Sequence, residues 1–354
     1  MDGKAGEKVW AKGPHRDGRR STRNHVSIKW GHKWLVMCVL VKLPGIDRPW
    51  ALPILCGLCC TEKVSEQTGY RRKSPSELSL QFLIQLMRWF PTRRFILLGD
   101  SRATSHRLAC FAHRHSDRVT LISRLRSDAN LYGKPSVRKT RGGKLARKGR
   151  KLPSPCKQVP KLTPQDSIIA WYGSSRRKIK HVTETGLWYS VHHVAVVPIR
   201  WVCVLGNKAK GLEDAYFYSS QPEMDARRIV ELYAMRWNIE VTFEETRALL
   251  GLETTRHWCK TSVLRATPIL MGMFTAVSLM WNELSASVAK ELLSQTPCYR
   301  KQSLTFSDVL YLVRREIWSN GLLQHHLSGR YDSWLDALPA PLRNSLLTQL
   351  AATA

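Results

Sequence analysis

The sequence predicts an α/β protein with a mixed sheet flanked by helices, and three patterns predict it. Short apolar runs bounded by charge alternate with helical periodicity through residues 33–123. Residues 167–218 alternate along the chain and are rich in β-branched and aromatic side chains. Residues 225–252 then carry a long helical pattern with a capping residue at each end.

Composition narrows the function. A chain of 354 residues with 43% hydrophobic content can bury a sizeable core in one large or two modest domains. It carries 56 Lys and Arg against 27 Asp and Glu, a net charge of +29, which calls for a polyanionic partner, above all nucleic acid. No membrane partner is expected, because the sequence has no amphipathic anchor and no apolar run that reaches the ~20 residues a bilayer requires. The charged N-terminus has no signal-peptide core, and nine cysteines without a disulfide-like framework suit a reducing cytoplasm.

In chain order, residues 1–25 read as a basic irregular arm. Residues 33–42 and 48–58 are apolar runs joined by the turn signal LPGID, hence a hairpin, with Pro53 marking a bulge or an edge. Residues 76–90 have helical periodicity, with Ser74 or Ser76 as cap and Pro91 closing the element. The strand RRFILLGD, 93–100, ends in Asp100; a helix over 103–114 and a strand over 118–123 follow. An acidic residue at the C-terminal end of a strand lies where open α/β sheets place their sites, although Asp is also a common N-cap for a following helix.

Residues 134–161 contain no acidic residue and read as a flexible basic loop. Within it Arg138, Lys139, Arg141, Lys144, Arg147 and Lys148 are candidates for contacting a phosphate backbone; a solvated linker is the alternative. Residues 162–220 form a β-rich insertion, and 261–283, 305–318 and 333–352 read as further helices. Cys56, Cys59 and Cys60 would need Cys110 and His113 to complete a zinc site, and buried small hydrophobes are the alternative.

The stretch 225–252 is predicted to be one helix, from Asp225 as N-cap to Gly251 at the C-terminal cap. On a wheel of about 100° per residue, Leu232, Met235, Ile239, Phe243 and Leu250 form an apolar stripe. Tyr233, Arg236, Glu240, Glu244 and Arg247 gather beside it. Carboxylates among arginines can hold a divalent cation while the guanidiniums hold a phosphate. A solvated face with i,i+4 ion pairs such as Arg236–Glu240 accounts for the same pattern.

Tyr233, Arg236, Glu240 and Arg247 resemble the Tyr-Arg-Glu-Lys signature of DDE-type transposases of bacterial insertion sequences, with Arg in place of the final Lys. The strand ending LLGD resembles the segment carrying the family's second catalytic aspartate, which points to Asp100, 140 residues before Glu240. HRDGRRSTRNHV, RPWALP, VVPIRWV and RWNIEVTFEE extend the resemblance over about residues 6–310. The resemblance implies a ribonuclease H-like sheet, with its first part over 26–133, the β-rich insertion, the signature region over 221–285 and a helical region over 286–354. It implies Mg²⁺, with Mn²⁺ as substitute, held by Asp100 and Glu240 as catalytic carboxylates, with Tyr233, Arg236 and Arg247 on DNA phosphates. The implied reaction is cleavage and transfer of strands of double-stranded DNA, at transposon ends and target, by a homo-oligomer associated with the nucleoid. The family's first aspartate would fall before Met1, so the chain is expected to lack the central strand and one metal ligand and to be impaired in catalysis. A non-catalytic basic fragment that binds DNA and interferes with a full-length relative is the alternative, and another nuclease of ribonuclease H-like fold is a third reading.

Overall fold

The computed structural model describes residues 9–16, 21, 25–101, 103–135, 146–171, 175–190, 195–207, 211–254, 258–284, 295–296, 299–300, 303–319, 339–342 and 345. Arg138, Lys139, Arg141 and Lys144, and most of the helix expected over 333–352, lie outside these residues. The chain divides into two compact units, Met1–Met37 with Leu55–Trp237, and Cys38–Ile54 with Asn238–Ala354.

The first strands are β1 (Gly13–Arg16) and β2 (Ile28–Gly31), an antiparallel pair. The expected hairpin follows as β3 (Lys33–Val41) and β4 (Trp50–Cys59), which form their own two-stranded sheet. Pro53 is tolerated in β4 because a two-stranded sheet leaves every strand with an unpaired edge.

The first unit is built on a seven-stranded mixed sheet. Its strands are β5 (Phe95–Gly99), β6 (Val119–Arg124), β7 (Leu131–Tyr132), β8 (Gln165–Ala170), β9 (Arg176–Tyr189), β10 (Val196–Val204) and β11 (Ala215–Ser219). The order is β5-β6-β11-β10-β9-β7, with β8 on β9. Strands β5 and β6 run parallel, and the pairs from β6–β11 onward are antiparallel. The strands expected as an insertion therefore continue the same sheet, because β11 hydrogen-bonds directly to β6.

Helices of the first unit are α1 (Glu62–Thr68), α2 (Pro75–Trp89), α3 (His106–Arg114), the short α4 (Pro155–Gln158) and α5 (Ala226–Met235). Alternation along the central strands sends neighbouring side chains to opposite faces. Leu121, Ile199 and Trp201 pack with Leu83 of α2 and Leu108, Ala109 and Ala112 of α3. Ile122, Val202 and Phe217 pack with Ile229, Val230 and Leu232 of α5. Helices thus cover both faces of the sheet. Helix α2 starts as expected, with Ser74 and Glu77 forming a capping box.

The second unit contains α6 (Asn238–Leu250), α7 (Lys260–Glu283), α8 (Phe306–Ser319) and a minor pair, β12 (Gln295–Thr296) with β13 (Tyr299–Arg300). Its core stacks Phe274 of α7 on Phe306 of α8 at 4.2 Å, with Trp50 of β4 against both. Thr275 Oγ1 donates to Pro53 O at 2.7 Å, and Trp281 Nε1 to Pro44 O at 3.1 Å. By length and composition alone α7 could cross a membrane; it buries Phe274, Val277 and Trp281 in this core.

The single helix expected over 225–252 is instead two. Helix α5 stops at Met235, the turn Arg236–Trp237 makes i→i−3 bonds to Tyr233 O and Ala234 O, and α6 begins at Asn238. The predicted stripe fails with it: α6 buries Thr242 and Thr246, whereas Ile239 and Phe243 remain half-buried. The physical reason is that the halves serve different cores: α5 packs on the sheet of the first unit, and α6 bonds through Thr242 Oγ1 to Ala51 O at 2.8 Å in the second. Both expected caps are present: Asp225 accepts from Arg228 N, and Gly251 takes a left-handed φ of 77°.

Candidate functional site

Asp100 follows directly on β5, half-buried at the C-terminal end of the strand. It is not the cap of α3, which begins at His106 rather than 103 and is capped by Ser105, whose hydroxyl accepts from Leu108 N. Instead Asp100 closes its own turn. Its Oδ1 accepts from Ala103 N at 2.9 Å, and its carbonyl accepts from Thr104 Oγ1 at 2.6 Å. Thr104 Oγ1 also meets Ser123 Oγ at 2.6 Å, tying this turn to the end of β6. A Cβ on Gly99 would lie 2.5 Å from Thr104 Cγ2, so only glycine admits that approach.

The parallel register pairs Gly99 with Ser123, so Arg124 ends β6 beside the position where Asp100 ends β5. Helix α5 lays Tyr233 against Phe217 of β11, with ring centroids 4.5 Å apart. The Arg236 guanidinium lies 5.5 Å from the Tyr233 ring centroid. Burial raises the Tyr233 pKa above that of an ordinary phenol; Arg236 and Arg124 oppose this and Asp100 adds to it, so all three lie within its electrostatic reach. The first unit thus gathers Asp100, Arg124, Tyr233 and Arg236. Arg124 is the member that sequence reasoning missed. Its signal was its position, one residue beyond the strand read as 118–123 and therefore at a strand end like Asp100.

Beside this group opens a cleft of about 500 Å³ lined by Ser101, Thr104, Arg124, Tyr132, Trp188 and Tyr189, among others. His106, buried in its wall, contacts Trp188 O at 3.2 Å and packs edge-on against the Trp188 ring. Lys148, expected on a phosphate backbone, sits 4.0 Å from the Tyr132 ring centroid and 3.6 Å from that of Tyr189. Arg147 next to it is exposed.

Glu240 and Arg247 belong to the second unit, on α6. Glu240 is half-buried in the first turn, and Arg247 Nε pairs with Glu253 Oε1 at 3.2 Å on an exposed surface. Among the described residues, no three His, Cys, Asp or Glu side chains gather as a metal site. Cys59 and Cys60 are buried, and burial pushes the thiol of Cys56 up to about 11.

No family model matches the chain, and no curated protein matches it. Among solved structures, it is similar to a chain in a cryo-EM structure of the piggyBac transposase synaptic complex with hairpin DNA. The identity is 11% and the TM-score 0.45, over 97% of this chain and 56% of that one. This chain therefore spans little more than half the length of that protein.

Proposed function

We propose that the chain is a DNA-binding protein of the transposase kind, with a ribonuclease H-like sheet and a site for phosphoryl transfer beside Asp100. One observation carries the reading: Asp100, Arg124, Tyr233 and Arg236 meet at the C-terminal ends of the parallel pair β5–β6 in a chain of net charge +29. Guanidiniums there can hold a DNA phosphate in a charge-assisted fork. Tyr233 stays protonated at neutral pH and can donate its O–H to a phosphate oxygen.

Mg²⁺ is commonly held by one or two carboxylates plus substrate phosphate oxygens, and Asp100 among phosphate-binding cations fits such a partial site. In this reading Asp100 would hold Mg²⁺ or Mn²⁺, and Glu240, the carboxylate of the signature, is the second expected catalytic residue. When bound, the metal supplies a Lewis acid for in-line attack at phosphorus. The chain's own residues bind and orient the phosphate, and a homo-oligomer would present paired ends.

The test is nicking and joining of a duplex by the full chain in Mg²⁺. Turnover is expected to be weak and to be lost in Asp100→Asn and in Glu240→Gln; turnover indifferent to both substitutions would overturn the reading. The net charge of +29 supports equally one second reading, a DNA-binding protein without catalysis. That reading expects salt-sensitive binding, indifferent to Mg²⁺, and no turnover.

A further inference from the structure

A second feature of the first unit lies apart from Asp100. Helix α2 carries Glu77, Gln81, Gln85 and Arg88 at helical spacing on one side, and Arg71–Lys73 lead into its cap. Arg107 of α3 faces the same groove, which has a volume of about 400 Å³. Five cations, Arg71, Arg72, Lys73, Arg88 and Arg107, line it against the single carboxylate of Glu77. That carboxylate is engaged by the cap, where it accepts from Ser74 N and from Ser74 Oγ at 2.8 Å each. Arg72 pairs with Glu62 at 3.4 Å, and Lys73 Nζ donates to Gln81 Oε1 at 2.8 Å. No carboxylate among the described residues lies within ion-pair distance of Arg71, Arg88 or Arg107. Arg107 and Arg72 attract the Glu77 carboxylate, but one carboxylate does not balance five cations, and the remaining repulsion is a cost that a polyanion removes.

The groove also has a direction. Ser105 and His106, in the first turn of α3, line the cleft beside Asp100, and the next residue, Arg107, lines the groove. A 2.5 Å contact between Ser76 Oγ and Ser105 Oγ ties the start of α2 to the start of α3. A helix of 15 residues is about 22 Å long, enough to pass several phosphates of one strand at about 3.4 Å of duplex axis each.

We propose that the α2 groove is a second phosphate-binding track, which holds the backbone of duplex DNA on its way to the cleft beside Asp100. This rests on the DNA-binding reading above and adds the surface along which the duplex lies. Arg88 and Arg71 contact backbone at the far and near ends of α2, and Arg107 hands the strand to the cleft.

The test is fluorescence anisotropy of a labelled duplex of arbitrary sequence against the full chain over a range of salt concentrations. The triple substitution Arg71→Ala, Arg88→Ala and Arg107→Ala should flatten the plot of log affinity against log salt by about 2.7, since each phosphate contact contributes about 0.9. Lysine at the same three positions should keep the slope. If the triple alanine chain does not fold, Arg88→Ala alone should flatten the slope by about 0.9. An unaltered slope in a folded variant, with the parent chain still binding, overturns the track alone. A parent chain that binds no duplex at low salt overturns the DNA-binding reading and the track with it.

Discussion

At Asp100 the carboxylate is positioned by small neighbours rather than by deep burial. Gly99 lets Thr104 approach, and Thr104 bonds both the Asp100 carbonyl and Ser123. Gly99→Ala should destabilise the fold by about 1–3 kcal/mol, because the new methyl overlaps a side chain that two hydrogen bonds hold in place. Thr104→Val keeps the shape and loses only those bonds, so urea denaturation should show a smaller cost, about 1 kcal/mol. The reverse order would mean that the turn yields to the methyl. Tyr233 allows a separate test. Its ring packs on Phe217, and its hydroxyl also accepts from Arg236, so Tyr233→Phe should lower the melting temperature only slightly, by the loss of that one bond. Duplex affinity should fall about fivefold, roughly 1 kcal/mol for one lost hydrogen bond. His181 shows burial acting without chemistry. It is 2% exposed, and desolvation lowers its pKa despite Asp225. The unfolded chain therefore takes up this proton first as pH falls below about 6.5. Stability attached to His181 is fully present above that pH and declines through the window beneath it. His181→Gln should flatten that decline in denaturation curves taken between about pH 7 and 5.

Among the elements, the interrupted helix shows how far a one-dimensional pattern reaches. Asp225 and Gly251 were legible as caps because capping chemistry is local. The break at Arg236–Trp237 was not, because neither residue breaks a helix intrinsically; the two flanking segments pack on different cores, and core assignment is a tertiary property. The same reasoning explains why Thr242 and Thr246 were overlooked as the buried face of α6. Their hydroxyls are satisfied by Ala51 O and by Thr242 O, so polar side chains occupy positions that a hydrophobicity wheel would assign to solvent. Thr242→Val should thus cost about 1 kcal/mol by leaving the Ala51 carbonyl without this donor, in spite of the added apolar surface. A stability gain in denaturant would show that the bond is not needed. Asp100 and Tyr233 were legible from strand-end position and signature spacing. Arg124 and the cleft aromatics Tyr132, Trp188 and Tyr189 were not, since only the pairing of β6 with β5 and of β7 with β9 brings them to one place.

For the whole molecule, the decisive quantity is the net charge of +29. It acts in opposite directions on folding and on binding. Within the folded chain the excess cations repel one another, and salt screens this over a Debye length of about 10 Å at 0.1 M. Raising NaCl from about 20 to 300 mM should therefore raise the melting temperature by a few degrees. The same change should weaken duplex binding steeply, by a factor set by the number of phosphates engaged. Duplex DNA should in turn stabilise the chain strongly at low salt and little at high salt, since stabilisation by a ligand follows its affinity. Thermal melts with and without duplex at the two salt concentrations measure all three effects at once. A chain whose cations were mostly neutralised by internal pairs would show neither the rise in melting temperature nor the crossing with duplex. The pairs found among the described residues, such as Arg72–Glu62, Arg126–Asp128 and Arg247–Glu253, lie on exposed surface, where such contacts are weak and yield to a phosphate. The crossing is therefore the expected outcome, with DNA supplying the counter-charge that the sequence itself does not.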